Sequence, residues 1–493
     1  MNVLLSLLQK STDYNQLLKA VEAKQAVAVS GLSQAPRSHV LAAAHEQSGS
    51  PLVAVCQDDM AAKRLASELG AFLGEEPPVL PSRELTLAGA IGVSRQWEQQ
   101  RLRLLYALAQ GRVPVLVASL DALLLRTMPR EVLFSASVRL RCGAEYNVDD
   151  LVARLTRAGY TRSSLVEGVG QFALRGGILD VYSPACENPL RAEFFGDELD
   201  TMGYFDPITQ RRTENVDEAV LLPVAETEAH LHPQGTAGLC EDLRAIIARQ
   251  QRRKTPNQAL IDTLQKDCEA LENETLFASA DRYMALIYPE FTTAAAYLSQ
   301  EAVVAFCDHG NLQRAEKEKA EEFGLLLDSF LTSGTLFGEL CDYYGSIEDL
   351  AAQLRGRAAV YCDGFLAARY PESLPPKKLL SFTARQLPGY GGSLETAAAD
   401  LKNYTANQYG SIVLCGGQRR GEILKDLLAQ NGLNALLAFP LTKLPQPGQI
   451  LLAPGSLPAG LEYPTLKFAI LTEGQIAVRQ ERKKTRAPKK ATN

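Results

Sequence analysis

Apolar positions in the first part of the chain come in short unbroken runs: Ala26-Val27-Ala28-Val29, Leu52-Val53-Ala54-Val55-Cys56 and Val113–Ala118. A run with no polar alternation predicts a strand buried on both faces, as in a parallel sheet. Between the runs, Ala61–Leu73 and Arg95–Ala109 repeat apolar residues at helical spacing. Strand and helix therefore alternate over 1–140, which predicts an α/β unit around a parallel sheet. The opening MNVLLSLLQKSTDYNQLL reads as an amphipathic helix. Gln9 and Lys10 interrupt its apolar stretch and no basic region precedes it, so no signal peptide is expected.

The pattern changes near residue 141. After a helix at Val148–Gly159, apolar and polar residues alternate singly, and successive side chains of a strand point to opposite faces. In Arg191-Ala192-Glu193-Phe194-Phe195, one face carries Arg191, Glu193 and Phe195, and the other Ala192 and Phe194. Gly196-Asp197 fits a two-residue hairpin turn, since Gly takes positive φ readily, and Glu198–Phe205 is the returning strand. Upstream, Gly176-Gly177 permits a sharp turn between Arg175 and a strand at Ile178–Tyr182. A guanidinium, a carboxylate and a large aromatic on one outward face is the composition of a protein–protein hot spot. A second reading leaves Arg191 and Glu193 as an ion pair and Phe195 in the core.

Helical spacing resumes over 237–283, where Leu239, Leu243, Ile246 and Ile247 share a face. A strand at Ala302–Cys307 and a charged helix at 311–323 follow. A third unit spans 350–475, with candidate strands at Ala358–Cys362, Ile412–Cys415 and Phe468–Leu471. Its Gly421–Gln430 helix stops at Asn431-Gly432. Residues 476–493 form a basic linker or tail, and RQERKKTRAPKK within it reads as solvated chain.

At about 100–200 residues per domain, 493 residues predict roughly three or four domains. The net charge of −6 argues against a chain whose main task is gripping phosphates. Nine cysteines without a C-x-x-C give no zinc ribbon or redox pair; they read as reduced thiols in the cytoplasm. No apolar run of about 18 residues occurs, so no membrane span is expected.

Ser30-Gly31-Leu32-Ser33-Gln34-Ala35-Pro36-Arg37-Ser38 stands between strand and helix, the place of a phosphate loop. A working loop reads G-x-x-x-x-G-K-[ST]. Gly31 and Ser38 match its ends, but Pro36 replaces the second Gly and Arg37 the Lys. Pro36 has no N–H to donate, and the forked Arg37 is a poor substitute for Lys. Nucleotide binding is not expected here. The other chemistry-bearing groups are weaker. His230 and His232 have no Asp or Cys close by and read as loop histidines, Cys307-Asp308-His309 cannot form a triad from consecutive residues and reads as a strand end and turn, and Gly416–Gly421 reads as a plain βα turn. No metal site and no cofactor are expected.

The stretch GVGQFALRGGILDVYSPACENPLRAEFFGDELDTMGYFDPITQRR, closing on LLPVAE, resembles domain 2 of the excision-repair protein UvrB. It resembles more closely the matching domain of bacterial transcription-repair coupling factors. The runs RGGILD, RxEFFGDExD, FDPxTQR and LLPxxE stand in the family's order. The resemblance implies a multidomain α/β chain. A degenerate P-loop (RecA-like) domain over 1–140 and 226–345 would be interrupted by a strand-rich α+β domain at 141–225 and followed by a small α/β domain at 350–475. It implies that the inserted domain docks onto UvrA, with Arg175, Arg191 and Phe195 at the family's docking positions; Glu193, on the same outward face by alternation, completes the expected docking set. The altered loop agrees with the coupling factors, whereas UvrB keeps an intact one. UvrB's Tyr-rich DNA-inserting hairpin is not expected in 78–112, where Trp97 and Tyr106 read as core.

The family continues with an RNA-polymerase-binding domain, an ATP-driven DNA translocase and a C-terminal domain that masks the UvrA-docking face; none is expected here. RNA polymerase and DNA would be engaged only through those regions. The chain is thus expected to be a non-catalytic recruiter of UvrA with its docking face open. The alternatives are a UvrB-like ATP-dependent enzyme and an autoinhibitory clamp on the translocase.

Overall fold

The computed structural model describes residues 3–88, 96–273, 277, 280–367, 369–390 and 393–476. The basic run of the tail and part of the 78–112 stretch lie outside the described residues. The opening apolar stretch forms a short helix and a 3-10 turn, then breaks at Ser11, whose hydroxyl caps a second helix by accepting from the Tyr14 N–H.

Ala26–Ser30 (β1), Leu52–Cys56 (β2), Val79–Leu80 (β3) and Val115–Ser119 (β4) belong to one parallel sheet. Every residue of β2 and β4 is buried, because helices cover both faces. Alternate residues feed two different cores: Val53 and Val55 point into one, Leu52, Ala54 and Cys56 into the other.

The chain then leaves this sheet. Val138–Arg141 (β5) pairs antiparallel with the later Glu218–Leu221 (β12), making a two-stranded stem. Between them lie Thr161–Arg162 (β6), Gln171–Arg175 (β7), Ile178–Val181 (β8), Leu190–Phe195 (β9), Glu198–Phe205 (β10) and Arg212–Asn215 (β11). They form a six-stranded sheet in the order β11-β10-β9-β8-β7-β6, antiparallel except for β6 with β7. Its inner face packs Phe172, Leu179, Leu190, Ala192 and Met202 against Leu151 and Leu155 of the Val148–Arg157 helix.

The root of this unit is held by the Gln96–Ala109 helix. Arg101 and Glu226, both fully buried, pair at 3.0 Å (Nε to Oε2). Arg101 also donates to the Pro81 and Ala122 carbonyls, Arg103 to those of Pro184 and Cys186, and Arg139 to the Tyr106 hydroxyl.

After two helices, Gly235–Gln251 and Gln258–Glu272, the chain returns to the first sheet with Val303–Cys307 (β13), Ala358–Cys362 (β14) and Lys378–Ser381 (β15). The completed order is β15-β1-β14-β13-β2-β4-β3. Expected in the third unit, Ala358–Cys362 instead pairs with β1 and β13. An unbroken apolar run states that a strand is buried, not which strands flank it.

The last sheet comprises Arg385–Gln386 (β16), Gly410–Cys415 (β17), Ala435–Leu437 (β18), Ile450–Pro454 (β19), Leu461–Tyr463 (β20) and Phe468–Thr472 (β21), in the order β16-β20-β21-β17-β19-β18. Among the described residues, no helix is long and apolar enough to cross a membrane. All nine cysteines are free thiols.

Candidate docking face and the phosphate-loop position

Two tight turns shape the outer face of the six-stranded sheet. Gly176-Gly177 joins β7 to β8, with Gly176 at φ +60°; Gly196-Asp197 joins β9 to β10, with Gly196 at φ +65°. Gly177 is also a close approach: a Cβ there would come 2.7 Å from the Phe194 carbonyl oxygen. Arg175 is opposite Ile178, Ile178 opposite Glu193, and Asp180 opposite Arg191. These residues share the outward face. Phe195, at the tip, is 85% exposed. The reading that placed Phe195 in the core therefore fails.

The charges on this face pair differently from the ion-pair reading. Arg191 does not bond Glu193. Its Nε and Nη2 grip the two oxygens of Asp180 at 2.7 and 2.9 Å. Its remaining donors reach Gln210, and its guanidinium carbon stands 4.4 Å from the centre of the Phe205 ring. The Asp180 hydrogen bonds raise the Arg191 pKa further above its ordinary value. Arg175 donates Nη2 to the same carboxylate at 2.7 Å while half of its side chain stays exposed. Glu193 faces Arg212 at 3.4 Å. Asp180, Phe205, Gln210 and Arg212 were not singled out in the sequence. What brings Asp180 to Arg191 is the β8–β9 register, which sets the two directly opposite each other.

At the phosphate-loop position the protein fills the space with its own chain. The Gly31 N–H donates to the Gly364 carbonyl and the Leu32 N–H to that of Asp363. The Ala35 N–H meets the Gln386 side-chain oxygen at 3.4 Å. Pro36 sits in the first turn of the Gln34–Ser48 helix, where its ring is tolerated but offers no donor. Arg37 is buried against Asp308 at 2.7 Å, and the Ser38 hydroxyl donates to Glu68 at 2.5 Å. The Gly31 N–H and the Ser38 hydroxyl are thus committed within the chain and Pro36 has no N–H; Arg37 pairs through Nη1, and its Nε is buried without a partner. His39, on the same helix, is buried between the Tyr463 hydroxyl and the Leu4 carbonyl, each 2.9 Å away. A carbonyl only accepts, so Nε2 carries the proton and Nδ1 accepts from Tyr463.

The remaining candidates hold no ligand set. His232 lies 3.2 Å from Asp242, yet among the described residues no group of His, Cys, Asp or Glu could hold a metal ion. Glu473 accepts from the Gly416 N–H at 3.1 Å, so a carboxylate of the chain takes the anion position there. Asp308, at φ +57°, follows the end of β13 and is the N-cap of the His309–Thr332 helix, so Cys307, Asp308 and His309 divide between a strand end, a cap and a helix start. Tyr106 is buried as expected, but Trp97 is 57% exposed, with Lys63 Nζ 5.4 Å from its ring centre. The apolar stripe of that helix runs through Leu102, Leu105, Tyr106 and Ala109, which leaves position 97 facing out.

Residues 138–226 match the UvrB interaction domain, an interval that runs from β5 to the buried Glu226. The chain is 24% identical over 490 residues to the transcription-repair-coupling factor of Bacillus subtilis strain 168, covering 98% of this chain and 41% of that protein. The chain is a relative of the transcription-repair-coupling factors. The Staphylococcus aureus USA300 coupling factor gives 24% over 498 residues, and that of Myxococcus xanthus 38% over 221 residues. The chain spans about two fifths of the length of the first two coupling factors, at 41% each.

Proposed function

We propose that this chain is the UvrA-recruiting part of a transcription-repair coupling factor and that it catalyses no reaction itself. It docks UvrA in the cytoplasm through the outer face carrying Arg175, Arg191, Glu193 and Phe195. The observation that carries this reading is Phe195: a large aromatic, 85% exposed, at the tip of a two-residue hairpin inside a UvrB interaction domain. An aromatic so exposed beside charged groups is the anchor type of a protein interface. The occupied phosphate-loop position supports a non-catalytic role and speaks against the UvrB-like enzyme. In domain terms, 1–140 and 226–345, extended by β14 and β15, form one unit, 141–225 the docking unit, and β16–β21 a third.

Titration of the chain with purified UvrA tests the reading. Wild type binds, and Phe195→Ala weakens binding by roughly thirtyfold, the usual loss for a central anchor, while remaining folded. Absence of wild-type binding overturns it.

A further inference from the structure

The docking face contains a charge imbalance. Two guanidinium groups, Arg175 and Arg191, share the single carboxylate of Asp180, which is 1% exposed. Arg191 spends its N–H groups on Asp180 and Gln210, lies against Phe205, and is only 19% exposed. Arg175 makes one ion pair, through one nitrogen, and its side chain is 50% exposed. Glu193 and Arg212 neutralise each other alongside. One net positive charge is therefore left on this part of the face, and it is on Arg175 that it meets solvent, with Ile178 beside it.

We propose that Asp180 is the positioning residue of this face. It locks Arg191 beneath the surface as a brace and aims Arg175 outward. Contact is then made by Arg175, Ile178, Glu193 and Phe195, while Arg191 acts through Asp180. The partner surface that fits is an apolar socket for the Phe195 ring with a carboxylate placed to receive the free N–H edge of Arg175. This rests on the recruitment reading above, with UvrA as the partner.

The charge of Asp180 allows a sharp test. Asp180→Asn adds one positive charge to the face. If the face worked by net charge alone, binding to an acidic partner surface would tighten; positioning requires it to weaken. The experiment measures UvrA affinity at low and high salt for wild type, Asp180→Asn, Arg175→Ala and the double variant, with urea unfolding of each free chain. The expected result is a loss of roughly tenfold or more for each single variant, with the double variant little worse than Asp180→Asn, because both act through one guanidinium. Arg175→Ala also flattens the salt dependence and leaves the urea midpoint in place. Asp180→Asn binding as tightly as wild type or tighter, or additive losses, overturns the inference while recruitment stands. No binding by wild type removes both. Should Asp180→Asn fail to fold, Arg175→Ala decides alone: unchanged affinity and salt slope overturn the assignment.

Discussion

Gly31 sits directly against the carbonyl of Phe382: a Cβ built on Gly31 would lie 2.0 Å from that oxygen. Phe382 follows β15, and its N–H donates to the Ser30 carbonyl, so the contact is part of how β15 closes the sheet edge beside β1. Gly31 also has φ +79°, a conformation costly for other residues. Gly31→Ala is therefore expected to destabilise the fold by about 2 kcal/mol or more, read as a lower urea midpoint. A change under about 0.5 kcal/mol would show that β15 moves aside freely.

The same packing predicts that wild type does not bind ATP. Equilibrium dialysis against labelled nucleotide, with an intact UvrB as positive control, should show no retention by this chain. Retention that Arg37→Ala abolishes would overturn the account of this position.

The buried pair at the root of the docking unit gives a stability prediction. Glu226→Ala leaves the Arg101 guanidinium buried with two carbonyls and no carboxylate. Breaking such a pair from one side costs about 3–5 kcal/mol, whereas replacing both partners by apolar residues of similar volume is often nearly neutral. Urea unfolding of Glu226→Ala and of the double variant Arg101→Met with Glu226→Leu should separate the two cases. A small effect of the single variant would mean that water reaches the pair.

Two buried histidines predict the direction of pH dependence. Burial lowers His39 and His309 from 6.5 to about 4. The unfolded chain thus binds more protons between these values, so stability rises with pH there. The contribution is complete above about 6.5, declines as pH falls toward 4, and is constant below; each histidine accounts for on the order of 3 kcal/mol. Urea midpoints at pH 7 and pH 4.5 should differ less for His39→Gln than for wild type. Equal slopes would assign the acid sensitivity elsewhere.

Much of the fold is legible in local pattern: the apolar run Leu52–Cys56 has its observed limits, and the Gly196-Asp197 turn with single alternation sets Glu198–Phe205 to the residue. Sheet membership is not, as β14 shows, since pairing between strands far apart in sequence leaves no trace in either run. At the docking face, alternation placed Arg191, Glu193 and Phe195 correctly on one side. It missed that Arg191 belongs to Asp180 because a carboxylate eleven residues upstream acquires that meaning only through the β8–β9 register. The filled phosphate loop was half visible. Pro36 announces the missing donor, but the carbonyls of Asp363 and Gly364 that take the N–H groups of Leu32 and Gly31 follow β14, a strand remote in sequence from the loop.

The Gln96–Ala109 helix grips the root of the strand-rich unit at three places: Glu226 just past its end, the Pro184–Cys186 loop within it, and, through Tyr106, Arg139 on β5 just before it. Contacts to three separate stretches of chain resist rotation at the root as well as translation. A load applied at the Phe195 tip therefore reaches that helix through several contacts rather than one, as on a bracket held by more than one bolt.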